Sequence, residues 1–270
     1  MSETIQTHAE PVVNMVQAKS DAVQAYMMHH MADSHEWAWT PHFHTSLPHF
    51  LTVNGAMVIG VAVLLALVLG VTVRRQPAVP SGLLNVLEFF AKYIRNEMVI
   101  PFLGEKDGRK MAPMFITLFF FILVMNLAGL IPCFYSATAN LGVTAALSLI
   151  TLFFMIFGAI YKNGFLAFCK GFVPPGIPKV MLVMIVPIEV LSMFIRTMAL
   201  AIRLFANMLA GHLVIYSLLG MIVMFGYYAA PAVLGALGIY LLEVFVAFLQ
   251  AYIFTLLSAI FIGERYHPAH

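Results

Sequence analysis

Residues 181–220 read MLVMIVPIEVLSMFIRTMALAIRLFANMLAGHLVIYSLLG, an almost unbroken apolar run of forty residues with Arg203 in its second half. A guanidinium keeps its proton at every accessible pH, and an unpaired one at mid-membrane depth costs roughly 3 to more than 10 kcal/mol. As one helix the run would be about 60 Å long, whereas the hydrocarbon core of a bilayer is roughly 30 Å thick. We therefore expect either one strongly tilted helix or a helix broken at Pro187 or Gly211, with a specific use for Arg203.

The composition of the whole chain is typical of a membrane protein. Of its 270 residues, 62% are hydrophobic and 10% are charged, whereas a soluble domain is about 45–50% apolar and about 25% charged. We predict an all-α polytopic membrane protein with an N-terminal span, an interfacial amphipathic helix, a transmembrane hairpin and a C-terminal hairpin of two long, strongly tilted helices. The predicted membrane domain is 51–263, with helices at about 51–73, 82–100, 111–131, 141–161, 181–220 and 232–262.

The two ends of the chain differ from this domain. Residues 1–50 are polar and hold seven of the ten histidines, so we predict an extramembrane segment, and residues 264–270 form a short tail. No early apolar stretch follows a basic start, and we expect no cleaved signal peptide. Because no cysteine joins these histidines and their spacing fits no standard site, we predict neither a metal nor a cofactor. The histidines weighed as ligands are His29, His30, His35, His42, His44 and His49.

The basic residues predict the orientation of the chain. Apart from Lys19, Arg196 and Arg203, they lie in the connections 74–110 and 162–179 and at Arg265, whereas 132–140 and 221–231 carry no charge. Since Lys and Arg are enriched in cytoplasmic loops, we expect the N-terminus outside and the C-terminus, including the tail, in the cytoplasm.

Residues 82–100 do not read as a simple span. An apolar stripe runs along one side, and Glu88, Lys92 and Arg95 occupy much of the other. This pattern is typical of a helix that lies in the membrane interface. An amphipathic loop helix packed on the protein is the alternative.

Ionisable residues in the first long segment are regularly spaced. Glu189, Arg196 and Arg203 are seven residues apart and therefore form one stripe along a helix. Asn207 extends the stripe by one turn. Ionisable groups inside a membrane indicate ion pathways, proton relays or counter-ions. A structural ion pair, such as Glu189 with Arg196, is the alternative.

The second long segment has a polar face of its own. Glu243 and Gln250 are again seven residues apart, and His212 is expected to face Glu243 across the hairpin. A carboxylate and an imidazole can exchange protons near neutral pH. The sequence thus indicates a site for proton transfer between the two helices.

The segment Arg203-Leu-Phe-Ala-Asn207-Met-Leu-Ala-Gly211-His212 resembles the Arg-Leu-Phe-Gly-Asn-Met signature of subunit a of rotary (F-type) ATP synthases. The resemblance covers about residues 45–263. Ala206 stands where the motif usually has glycine, and Gly129 stands where some members carry an acid. The supporting matches are Met125–Pro132, Glu189–Ser192 and Leu249–Phe254.

The resemblance implies a non-catalytic, proton-conducting stator subunit with two half-channels that load and unload the carboxylates of a rotating c-ring. Arg203 would separate the half-channels, with Asn207 and Gln250 nearby. His212 and Glu243 would line the outer half-channel, and Glu189 and Arg196 the inner one.

The same resemblance implies the setting of the protein. Its partners would be the c-ring, the peripheral-stalk b subunits and membrane lipid, without nucleic acid. We expect a bacterial inner membrane, with an organellar energy-coupling membrane as the alternative. The transported ion, proton or sodium, depends largely on the ring, although an imidazole in the entry path favours protons.

Two other classes of membrane protein are alternatives. A secondary ion transporter needs inverted repeats and broken helices around a midplane site, and we find no convincing repeat. A structural scaffold would not need a charged stripe on its longest helix. Co-purification of a c-ring would separate these possibilities.

Overall fold

The computed structural model describes residues 17–18, 21, 36–40, 43–46, 48, 52–74, 82–131, 134–173, 179–225 and 230–267. Strands β1 (Glu36–Thr40) and β2 (Phe43–Ser46) form a short antiparallel hairpin in the polar N-terminal segment. His44 lies in β2. The other histidines weighed as metal ligands fall outside the described residues, namely His29, His30, His35, His42 and His49.

The rest of the described chain is helical. Five helical segments are long and apolar enough to cross a membrane, which confirms an all-α polytopic membrane protein. Two short stretches, Ile94–Val99 and Phe154–Gly158, are π-helical. The helices are α1 (Val53–Arg74), α2 (Leu83–Tyr93), α3 (Ile100–Gly129), α4 (Leu141–Phe153), α5 (Ala159–Asn163), α6 (Phe165–Lys170), α7 (Lys179–Phe225) and α8 (Ala230–Tyr266).

The polar stretch between the predicted helices 82–100 and 111–131 differs from the expectation. The chain is helical from Leu83 to Gly129 except at Gly104, so the expected connection is reduced to one non-helical residue. Gly104 interrupts α3 with φ of 76° and ψ of 166°, a conformation that only glycine adopts readily. Beyond it, Arg109 pairs with Glu105 at 2.6 Å, one turn apart. Such pairs stabilise a solvated helical turn. The charged residues of this stretch are therefore compatible with a helix and do not by themselves indicate a loop.

The apolar stripe of α2 packs on the protein. The ring centroid of Phe90 lies 6.0 Å from that of Phe119 in α3 and 5.6 Å from that of Phe248 in α8. Ile94 and Met98 in the adjoining π-helical stretch are each 1% exposed. The helix is therefore held against the other helices, and its position relative to the membrane interface stays a prediction.

The two C-terminal helices are long and continuous. Helix α7 has 47 residues and passes through Pro187 without ending, and α8 has 37 residues. At 1.5 Å per residue they measure about 70 Å and about 55 Å. A break at Pro187 or Gly211 is therefore absent from this described helix, and helices of this length must incline strongly to stay within a bilayer.

Helix α7 has one buried face. Leu200, Leu204 and Met208 are at most 2% exposed and pack toward the core. The core also contains Phe115, Phe119 and Ile122 of α3 and Ala251 and Phe254 of α8. Because only one side of α7 is buried, its opposite side is left for lipid or for another protein.

Close packing of α8 on α3 depends on Gly263. A Cβ atom at this position would lie 2.6 Å from the carbonyl oxygen of Phe102. We expect Gly263→Ala to destabilise the subunit by about 1–3 kcal/mol, because backbone rather than a flexible side chain would have to move. Thermal unfolding of the detergent-solubilised complex measures this effect.

Gly235 provides the matched control in the same helix. A Cβ there meets nothing within 4 Å, and Ala has the higher helix propensity. Gly235→Ala should therefore leave the unfolding temperature unchanged or raise it slightly. Equal behaviour of the two variants would contradict the packing argument.

Candidate functional site

Arg203 lies on the exposed side of α7, opposite the buried face. Its guanidinium has no hydrogen bond or ion pair with any residue that the structure describes. Asn207, one turn further, is half-buried. The charge that made this segment unusual in the sequence therefore has no counter-charge within the described chain.

The surface around Arg203 is apolar. Ile195, Met198 and Ile202 of α7 are 57%, 52% and 50% exposed. Small side chains lie on the same exposed side, namely Ala199, Ala206 and Ala210. Helix α8 also has exposed large apolar residues, including Leu241 and Phe245, nearer the level of Gly211. Within a bilayer, such a surface can contact lipid or a closely packed helix of another subunit.

The other two members of the charged stripe are ion-paired with α8. Arg265 donates a hydrogen bond from Nη2 to Glu189 Oε1 at 2.6 Å, and Arg196 pairs with Glu264. The alternative of structural ion pairs therefore fits Glu189 and Arg196, although each pairs with a residue of α8 and not with the other. Arg203, seven residues further, has no such partner on α8.

A second group of polar side chains is buried where α7 meets α8. His212, Glu243 and Gln250 are 8%, 5% and 5% exposed. The carboxylate of Glu243 lies against Gly211, so close that a Cβ there would be 1.7 Å from Oε1. The structure thus brings Glu243 beside the residue that precedes His212. The imidazole also stacks against Tyr216, with ring centroids 6.1 Å apart.

Several polar atoms of this group have no hydrogen-bond partner among the described residues. They are His212 Nε2, both carboxylate oxygens of Glu243 and Gln250 Nε2. Buried polar atoms in folded proteins nearly always have a partner. An imidazole and a carboxyl group can both accept and release protons, whereas the amide of Gln250 can only form hydrogen bonds.

Asn126 of α3 belongs to the same region, although the sequence did not single it out as a site residue. It is 0% exposed, and its amide donates to the carbonyl oxygen of Ala247 at 3.4 Å. Ala247 lies on α8 between Glu243 and Gln250, and Asn126 Oδ1 has no described partner. A lone asparagine in the apolar run of α3 was the signal that could have identified it.

Further hydroxyl groups continue from the end of α3. The oxygens of Ser136 and Thr138 are buried without a described partner. Ser136 Oγ would lie 2.9 Å from a Cβ at Gly129. Tyr240 of α8 donates its hydroxyl to the carbonyl oxygen of Leu130 at 3.2 Å. Polar groups therefore extend from the connection after α3 toward Glu243.

Comparison with known proteins agrees with the resemblance found in the sequence. The family model described as "ATP synthase A chain" matches residues 55–263. This match includes every predicted site residue.

Individual relatives carry the same name. An ATP synthase subunit a of Anaeromyxobacter dehalogenans is 48% identical over 207 residues, which are 75% of this chain and 54% of that protein. One from Chloroherpeton thalassium is 42% identical over 254 residues, which are 87% of this chain and 75% of that protein. An "ATP synthase subunit a 2" of Chlorobaculum tepidum is 38% identical over 275 residues, which are 95% and 77% of the two chains.

The chain spans about half the length of the Anaeromyxobacter relatives, and most of the length of the other two. The family model covers the described helices from α1 through most of α8. The chain therefore belongs to the ATP synthase A chain family.

Proposed function

We propose that this chain is the proton-conducting stator subunit of an F-type ATP synthase and catalyses no covalent reaction itself. The observation that carries the proposal is Arg203, which is exposed on the apolar side of α7 and has no hydrogen bond or ion pair with a described residue. Along α7 it lies between the buried His212, beside Glu243, on one side and the ion-paired Glu189 on the other. A carboxylate of a rotating c-ring would supply the missing counter-charge.

Protons would enter along the buried polar group. The outer half-channel would run past Ser136, Asn126, His212 and Glu243, whose free polar atoms can bind water or exchange a proton. A proton delivered there neutralises a ring carboxylate. The neutral site can then move into lipid, where a charged one would be too costly.

Arg203 would keep the two half-channels apart. Its fixed positive charge repels a passing cation and attracts the ionised ring carboxylate, while Asn207 and Gln250 lie near this point of contact in the family pattern. A ring carboxylate that arrives from the other direction would release its proton toward Glu189 and Arg196, the inner half-channel. Rotation of the ring is then the remaining route between the two sides.

The proton gradient would drive the cycle. Moving one elementary charge across the membrane potential is worth about 2.3 kcal/mol per 100 mV. We place the chain in a bacterial inner membrane with its N-terminus outside and its C-terminus in the cytoplasm, because basic residues are concentrated in alternate connections of the sequence and such connections tend to be cytoplasmic. Peripheral-stalk b subunits and lipid would complete its surroundings.

A secondary ion transporter is the weaker alternative. Such proteins build midplane sites from discontinuous helices, whereas α7 and α8 are each continuous. Arg203 also lies on an outward surface instead of between helices. Both observations favour contact with another subunit.

Disulfide cross-linking tests the ring contact directly. With Cys133 and Cys169 replaced by serine, Ala206→Cys, which lies on the exposed side of α7, should cross-link to a cysteine placed beside the ring carboxylate. Leu204→Cys is the control, because Leu204 is 0% exposed and should not react. Gel mobility of the oxidised complex measures both. Cross-linking from neither position, with no ring co-purifying, would favour the transporter.

A further inference from the structure

Arg265 occupies an unusual place for a residue in the last turn of a helix. Its side chain is 10% exposed, and its guanidinium carbon lies 4.6 Å from the centre of the Phe172 ring. A planar guanidinium stacks well on an aromatic face while it donates hydrogen bonds from its edge. One such bond goes to Glu189 of α7 at 2.6 Å. Arg265 therefore connects three parts of the chain.

The backbone around Arg265 is also fixed. The amide nitrogen of Asn163 donates to the carbonyl oxygens of Arg265 and Tyr266 at 3.4 Å and 3.2 Å. These bonds satisfy carbonyl groups that the end of a helix leaves unpaired. The ring of His267 lies within 2.9 Å of the carbonyl oxygen of Leu103, close to the break at Gly104. The end of α8 is thus a rigid support.

Glu189 is held much less firmly. Its side chain is 37% exposed, and its ion pair with Arg265 is the polar contact that the described residues give it. A flexible side chain in such a position would otherwise sample several rotamers. The guanidinium consequently sets where the carboxylate of Glu189 lies.

We propose that Arg265 is a positioning residue for proton release. Its guanidinium holds the carboxylate of Glu189 at the opening of the inner half-channel. This inference rests on the proposed function. Arg265 neither accepts nor releases the proton, since a guanidinium stays protonated at all accessible pH. The transferred proton would pass between the ring carboxyl group, Glu189 and water.

A neighbouring ion pair provides the matched control. Glu264 precedes Arg265 and pairs with Arg196, so it ties the same ends of α7 and α8 together. It does not contact Glu189. If the ion pairs served only to clamp the helices, losing either pair would have a similar effect.

Passive proton conductance of membrane vesicles stripped of the catalytic sector tests the inference. We expect Arg265→Gln to lower conductance about threefold to tenfold, which corresponds to the interaction energy of contacting residues. Glu264→Gln should lower it less. In the Glu189→Gln background, Arg265→Gln should cause no further loss, because its effect passes through the carboxylate that has been removed. Subunit abundance in the membrane is measured for every variant.

The outcomes separate the two proposals. An equal loss from Arg265→Gln with and without the Glu189 carboxylate, or no loss at all, would overturn the positioning role. Normal conductance of Glu189→Gln itself would instead overturn the assignment of Glu189 to the inner half-channel. If Arg265→Gln fails to accumulate, Arg265→Lys is carried through the same two backgrounds and judged by the same criterion. Lysine keeps the charge but not the forked geometry.

Discussion

Arg203→Ala is expected to abolish proton pumping driven by ATP hydrolysis in the assembled complex. Without the fixed charge, a protonated ring site could pass the stator, and ATP hydrolysis would no longer be coupled to transport. The ionised ring carboxylate would also lose its counter-charge. An unmatched charge at the membrane centre costs about 3 kcal/mol by insertion scales, which corresponds to roughly a hundredfold in rate. Fluorescence quenching of a pH-sensitive dye in inverted vesicles measures the loss.

Arg109→Ala is the control for removing a positive charge. Arg109 is exposed and pairs with Glu105 one turn away, an arrangement worth little in stability. Pumping by this variant should be near normal. If Arg203→Ala also pumped at a near-normal rate, the central role of Arg203 would be wrong.

Gly211→Ala should have the second largest effect. A Cβ atom at this position would lie 1.7 Å from Oε1, 2.5 Å from Cδ and 2.8 Å from Cγ of Glu243. The whole carboxylate arm, and not only its end, would have to leave its buried place. Overpacking of this kind costs about 1–3 kcal/mol, and we expect passive proton conductance to fall about tenfold.

A double variant identifies the cause of that loss. Shortening the displaced side chain with Glu243→Asp in the Gly211→Ala background should restore part of the conductance. Gly238→Ala is the control on α8, because a Cβ there meets nothing within 4 Å. A Gly211→Ala subunit with full conductance would show that the position of Glu243 is unimportant for proton entry.

Much of the site followed from spacing along single helices. The seven-residue interval of Glu189, Arg196 and Arg203 placed these residues on one stripe, and the absence of other Asp, Glu, Lys or Arg residues in 181–220 made Arg203 conspicuous. Such regularities need only the helical period. They do not depend on how neighbouring helices are rotated.

Contacts between helices were less accessible. Arg265 and Glu264 are adjacent in sequence, yet they reach residues seven apart on α7, which depends on the offset of the hairpin. The place of Asn126 at the site depends on the packing of α3 beside Ala247, which the sequence does not indicate. The helical conformation on both sides of Gly104 was not predicted, because the polar stretch contains an ion-paired helical turn.

The unbroken length of α7 has a mechanical consequence. Glu189 and His212 lie on one continuous helix, and 23 rises separate them by about 35 Å along its axis. Because the helix has no break between these two residues, the distance between them is fixed. In a thicker membrane the helix would tilt less from the membrane normal, and in a thinner membrane it would tilt more. The length of the lipid chains would then determine, at the same time, the membrane depth of the two proposed half-channels at Glu189 and His212.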